Sequence, residues 1–313
     1  MAKILNGRAL AKEIKKQVKE EVGKLTHYGI DVGLGILLVG ENPASEQYFL
    51  ATLKACKKVG ITPYKFNLSD DASVSEVLNV VHACNTDERI NGLLVLFPLP
   101  RRINARRVVN EIIPEKDIDG LGAISVGRLA ADESTFQIFS EGSYEMLHEC
   151  GFLPTVSSFL PCTPFGVIRL LEHYDIELKG KHAVVVGKSL AVGKPLAHML
   201  LAKGATVTVC HRETHDLGYF VRQADIICSA TGIPGLIRGD MVKEGAVVVD
   251  IGIKVLDDGK IVGDVDFEPV EKKASFITPV PGGVGPVTIS MLLENTLRSA
   301  QRNELLKSPL MTG

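Results

Sequence analysis

The run Gly33–Val39, GLGILLV, is seven residues without a polar side chain, and it limits the fold more than any other segment. It is too short to cross a membrane and too apolar for a strand with one face in water. A strand buried on both faces satisfies it, which calls for helices above and below a parallel sheet. The neighbouring segments supply those parts. Ala9–Thr26 has a helical apolar period, and a Gly40-Glu41-Asn42-Pro43 turn leads into a helix over Ser45–Val59. A strand around Tyr64–Leu68 precedes a helix from Val74 to Asn85, and Gly92–Phe97 is a strand stopped by Pro98 and Pro100.

The second half repeats the alternation. A helix over Phe165–Tyr174 is followed by a strand at His182–Val186, a glycine turn and a helix at Pro195–Leu201. Further strands are expected at Val207–Cys210, Ile226–Ser229 and Ala246–Asp250, with a short one at Phe276–Thr278. A final helix, Val287–Leu306, follows the rigid loop Thr278–Pro286. The stretch 130–160 reads as an excursion with a helix at Glu141–Glu149, and it carries Tyr144, His148 and Cys150.

Composition matters here for what it excludes. With 313 residues there is room for two ordinary domains, and 45% apolar against 23% charged residues describes a globular chain. A formal net charge of −2 gives no broad attraction to nucleic acid or anionic membrane. No apolar run suits a transmembrane or secretory segment, so a cytoplasmic protein without nucleic-acid or membrane partners is expected. The six cysteines, Cys56, Cys84, Cys150, Cys162, Cys210 and Cys228, form no C-x-x-C pair. Free thiols, several of them buried, are expected rather than a disulfide scaffold or a zinc site.

The sharpest local signal follows the strand ending at Val186: Gly187-Lys188-Ser189-Leu190-Ala191-Val192-Gly193. A strand, a turn bounded by glycines and a helix N-terminus together make a seat for a pyrophosphate. Gly187, Lys188, Ser189, Val192 and Gly193 are therefore cofactor-binding candidates. The spacing is not the usual G-x-G-x-x-G, and an ordinary structural turn is the competing reading. At the end of the next strand stand His211 and Arg212, with no carboxylate before Glu213. Arg212 and Lys188 suit the 2'-phosphate of NADP, or a free phosphate held beside NAD, and NADP is favoured. Thr231 and Gly232, then Asp250 and Gly252, stand at later strand ends, where open α/β sheets bind ligands. The expected fold class is α/β: two three-layer domains with mostly parallel sheets, the second a Rossmann-like dinucleotide-binding domain. The expected boundaries are residues 1–145, completed by helix 287–308, and residues 146–286.

Several stretches together resemble the methylenetetrahydrofolate dehydrogenase/methenyltetrahydrofolate cyclohydrolase family over essentially residues 1–308. They are Val39–Ser45, Phe97-Pro98-Leu99-Pro100, Lys116–Gly120 and Pro161-Cys162-Thr163-Pro164, then Gly187–Pro195, Thr206–Thr214, Gly263–Phe267 and Thr278–Thr288. The resemblance implies oxidation of a folate-bound one-carbon unit with NADP or NAD, hydrolysis of the methenyl product in many members, and a homodimer. It implies a folate-like ligand in a cleft between the domains, its pterin met by Asp119 and its ring stacked near Tyr48. Pro281, Gly282 and Gly283 belong to the loop expected against that ligand. An arginine at the place of Arg212 occurs in members that use NAD with phosphate, so both dinucleotides stay open.

The chain departs from this pattern at the catalytic pair. The family's lysine follows the tyrosine by four residues, where this chain has Thr52, and its glutamine falls at Leu96. Lys54 matches a second family lysine, and it stands about 240° around the helix from Tyr48. No catalytic residue is therefore assigned, and hydrolase activity is expected to be weak or absent. The excursion at 130–160 is longer than the family's usual crossing. Two other readings stay open: an oxidoreductase acting on another one-carbon or imine-like compound, and a non-catalytic folate or dinucleotide binder.

Overall fold

The computed structural model describes residues 1–131 and 158–307. In chain order the elements are β1 (Lys3–Ile4), α1 (Gly7–His27), β2 (Gly33–Val39), α2 (Pro43–Val59) and β3 (Thr62–Leu68). Then come α3 (Val74–Thr86), β4 (Gly92–Val95), α4 (Ala105–Asn110) and α5 (Ala123–Ala130). Beyond residue 158 follow α6 (Cys162–His173), β5 (His182–Val186), α7 (Gly193–Ala202), β6 (Thr206–Cys210) and α8 (Leu217–Val221). Next are β7 (Ile226–Ser229), β8 (Val247–Asp250), the pair β9 (Lys254–Val255) and β10 (Ile261–Val262), and α9 (Phe267–Glu271). β11 (Phe276–Ile277) and α10 (Val284–Lys307) complete the described chain. No helix among the described residues is long and apolar enough to cross a membrane.

Two compact units result. One comprises residues 16–131, 158–160 and 292–307, and the other Met1–Lys15 with Pro161–Met291. The chain passes between them three times, within α1, between residues 160 and 161, and within α10. The first unit holds a parallel sheet in the order β3-β2-β4, with β2 in the middle. All seven residues of β2 are buried, as the unbroken apolar run required, whereas β3 at the edge is exposed or half-buried throughout. Leu37, Val39, Val77, Val81, Leu93, Val95 and Val108 form the core between this sheet and its helices. Helix ends are fixed by short polar side chains. Asn42 Oδ1 accepts from Ala44 N and Ser45 N, both at 3.1 Å, and Ser73 with Glu76 closes a reciprocal capping box on α3.

The second unit carries six parallel strands in the order β1-β11-β8-β7-β5-β6. Strands β7 and β8 are buried at every position, and the core includes Val184, Val186, Ile227, Val248 and Ile277. The expected boundary at the N-terminus needs correction. Residues 1–15 group with the dinucleotide-type sheet, because β1 pairs with β11 (Lys3↔Phe276, Ile4↔Ile277) and Asn6 N donates to Tyr174 Oη at 2.8 Å. A two-residue strand has too little period to be legible in sequence. The final helix starts at Val284 rather than Val287, since Pro286 sits comfortably in a first helical turn. Strand β4 stops at Val95, although Leu96 N still donates to Leu37 O at 3.0 Å. The expected helix at 141–149, with Tyr144, His148 and Cys150, lies outside the described residues.

Leu93 is 1% exposed within the first unit's core. We expect Leu93→Ala to lower stability by about 2–5 kcal/mol, read as a lower midpoint in urea denaturation followed by circular dichroism.

Candidate functional site

In the second unit the turn after β5 is built by close backbone packing. Gly187 has φ +121, and a Cβ on Gly193 would lie 1.9 Å from the Gly187 carbonyl oxygen. Any side chain at 193 would push α7 off the turn, which is the third-glycine role of a phosphate-binding strand–helix junction. Ser189 Oγ accepts from Val192 N at 3.2 Å and Gly193 N at 3.3 Å, so the turn closes on itself ahead of the helix. Val192 caps α7 without a side-chain bond and is half-buried.

The neighbouring loop after β6 lies alongside, because Val186 and Cys210 are register partners. Here Glu213 gathers the charges. Its carboxylate accepts from Arg212 Nε at 2.7 Å and Lys188 Nζ at 3.2 Å, and lies 2.6 Å from His211 Nδ1. The Arg212 bond, with those from Lys188 and His211, holds the Glu213 carboxyl down at about 2. The two cations expected to meet a phosphate are therefore already paired. Sequence reading noted Glu213 only as the first carboxylate after the strand.

The later strand ends are tied together by two buried carboxylates. Asp250 accepts from Gly252 N (3.1 Å), Asp264 N (3.0 Å) and Val265 N (2.9 Å), and burial pushes its carboxyl up to about 6. Asp264 Oδ2 accepts from Thr231 N at 2.6 Å, Thr231 Oγ1 at 2.9 Å and Ser229 Oγ at 2.8 Å. A Cβ on Gly252 would stand 1.9 Å from Asp264 Oδ1, so this glycine makes room for a carboxylate of the chain itself. Asp250, Gly252 and Thr231 thus hold the loops in shape, while Gly232 is half-buried beside them. Asp264 was overlooked as a hub, though it stands in the quoted Gly263–Phe267 stretch. Among the described residues no group of His, Cys, Asp or Glu is arranged to hold a metal ion. In the loop before α10, Pro281 is exposed and Gly282 and Gly283 are buried, with Gly283 N donating to Pro279 O at 2.8 Å.

In the first unit, α2 buries Ser45, Phe49, Thr52 and Cys56 on one stripe. Ser45 Oγ donates to Phe97 O at 2.9 Å, which ties the first turn of α2 to the segment just after β4. Thr52 is 0% exposed and its Oγ1 has no hydrogen-bond partner among the described residues. Leu96 is buried, Tyr48 half-buried and Lys54 exposed, as the helical angle between Tyr48 and Lys54 requires. Among the described residues Cys56, Cys84, Cys210 and Cys228 are free and buried, Cys162 is buried, and desolvation pushes Cys56 and Cys228 up to about 12.

The Lys116–Gly120 loop divides its charges between two jobs. Lys116 is buried and donates to Cys84 O at 2.7 Å and Asp87 O at 2.8 Å. Asp117 is buried and accepts from Leu121 N (3.1 Å), Gly122 N (2.9 Å) and Ser125 Oγ (2.6 Å). Asn295 Nδ2 on α10 donates to Ile118 O at 2.8 Å. These bonds turn Asp117 inward and leave Asp119 half-buried as the carboxylate nearer the surface. Sequence alone showed two carboxylates beside a glycine and could not separate them.

Comparison with known proteins gives a consistent picture. The family model described as tetrahydrofolate dehydrogenase/cyclohydrolase, catalytic domain, matches residues 5–119, and its NAD(P)-binding domain counterpart matches residues 161–304. The bifunctional protein FolD of Campylobacter jejuni is 47% identical over 298 residues, covering 95% of this chain and 98% of that protein. The crystal structure of FolD from Campylobacter jejuni, a methylenetetrahydrofolate dehydrogenase/cyclohydrolase, superposes with a TM-score of 0.87. It is 46% identical and covers 97% of this chain and 100% of that one. The Trypanosoma brucei FolD, solved with NADP and an inhibitor, has a TM-score of 0.86 at 36% identity, covering 97% and 98% of the two chains.

Burial dominates the ionisation of Asp117 and pushes its carboxyl up from 3.8 to about 6. The folded protein therefore holds this proton more tightly than the unfolded chain does. Its contribution to stability is fully present below pH 3.8 and is lost as pH rises through about 6. We expect Asp117→Asn to flatten the fall in urea midpoint across that window, measured against the unsubstituted protein at matched ionic strength.

Proposed function

The chain belongs to the tetrahydrofolate dehydrogenase/cyclohydrolase family, and on that premise we propose that it oxidises 5,10-methylenetetrahydrofolate with NAD(P) while hydrolysing the methenyl product weakly or not at all. The observation that carries this reading is Thr52, a fully buried neutral residue at the position where the resemblance puts the family's lysine. An ammonium there would polarise the one-carbon bridge and help activate water. A hydroxyl has no charge and no useful pKa near neutrality. Leu96 stands where the glutamine amide would orient that ammonium. The other lysines discussed do not replace it: Lys116 is committed to two carbonyl oxygens and Lys54 is exposed.

Oxidation makes smaller demands on the protein. NAD(P), when bound, supplies the hydride acceptor, and the chain has to hold and orient both partners. The glycine-bounded turn at 187–193 fits a pyrophosphate, since its packing excludes a Cβ at 193. Gly187, Lys188, Ser189, Val192 and Gly193 would hold that group, with His211 and Arg212 toward the adenosine ribose. On the folate side, Tyr48 would stack on the ligand and Asp119 would bind the pterin.

The test gives purified protein methylenetetrahydrofolate with NADP or NAD and follows dinucleotide reduction and methenyl hydrolysis together. We expect reduction with at least one dinucleotide, and hydrolysis ~10²–10⁴-fold slower than that of the Campylobacter jejuni relative. Thr52→Lys with Leu96→Gln should recover part of the hydrolysis. Binding of both ligands without reduction would make the chain a silent binder. Rapid hydrolysis by the unsubstituted protein would overturn the proposal.

A further inference from the structure

At the carboxyl ends of β5 and β6, we propose that Glu213 is a specificity-determining residue that competes with the 2'-phosphate of NADP for Lys188, His211 and Arg212. This rests on the reading of residues 161–304 as an NAD(P)-binding domain.

In doubly wound sheets the ribose 2' position of a dinucleotide lies at the end of the strand after the phosphate-binding turn and its helix. Here that strand is β6, and the residues after it are His211, Arg212 and Glu213. Both carboxylate oxygens are engaged. Oε1 accepts from Arg212 Nε, and Oε2 faces Lys188 Nζ and His211 Nδ1. These are the donors that a phosphate ester would need. The loop holds them in place, since His211 N donates to Thr214 Oγ1 at 2.8 Å and Thr214 N to His211 O at 2.8 Å.

The two dinucleotides meet this arrangement differently. NADP must displace a carboxylate from its partners and then keep a second anion nearby. NAD brings a neutral hydroxyl, which can donate to Glu213 and leaves the ion pairs intact. The Glu213 side chain is 50% exposed and that of Arg212 90%, so water and salt screen the competition. The neutral amide of Glu213→Gln keeps the shape and removes the charge.

The experiment is calorimetric titration of NAD and NADP, separately, into the full chain and into Glu213→Gln at low ionic strength. We expect the NADP dissociation constant of the variant to fall about tenfold while that for NAD stays level or rises, with the NADP gain shrinking at high salt. Adding Arg212→Ala to Glu213→Gln should abolish the gain. An NADP constant unchanged by Glu213→Gln, or an equal change for both dinucleotides, would overturn the proposal. Failure of both proteins to bind either dinucleotide would overturn the domain reading and the proposal with it.

Discussion

Burial of the parallel strands on both faces governs where this protein can do chemistry. Strands β2, β7 and β8 are buried at every position, so along their length they offer a ligand little. What remains is the set of loops at their carboxyl ends, where backbone groups leave the sheet. Several candidate residues sit there: Gly187 after β5, His211 after β6, Thr231 after β7, Asp250 at the end of β8 and Leu96 just past β4. The apolar interior thus acts as a frame, and polarity is concentrated at one rim of each sheet.

Those loops need their own support, and buried carboxylates provide it. Asp250, Asp264 and Asp117 each accept three hydrogen bonds, all from backbone N–H groups at Asp250 and from a mixture of N–H and hydroxyl donors at the other two. Such a carboxylate replaces a turn's missing hydrogen bonds in a place where neither strand nor helix supplies them. Desolvation raises Asp117 and Asp250 against the lowering effect of the same bonds, so burial costs these groups acidity that the anchoring bonds only partly restore. Lys116 is the cationic counterpart, its ammonium spent on two carbonyl oxygens.

Much of the architecture was legible because it rests on local periodicity. Gly33–Val39, His182–Val186 and Ile226–Ser229 are strands from their first residue to their last, since runs this apolar have no other stable place. The short elements β1, α4, α8 and α9 were not read, because a few residues carry no period and owe their form to tertiary contacts. At the site, Gly187 and Gly193 stand out by their position in a strand–turn–helix unit, although their spacing is not the usual one. The inward turn of Asp117, the tie between Ser45 and Phe97 O, and the collar of cations around Glu213 depend on segments that meet only in three dimensions. Asp250 and Gly252 show how identity can be legible while the role is not: one secures a loop, and the other leaves space for Asp264.

The pairing of β1 with β11 has a consequence for how the molecule is made. Lys3–Ile4 precedes its partner Phe276–Ile277 by most of the described chain, and β11 also separates β1 from β8. The edge formed by β1 therefore cannot pair until β11 has been synthesised. Residues 3–4 are connected to that partner only through the long intervening chain until β11 emerges to receive them.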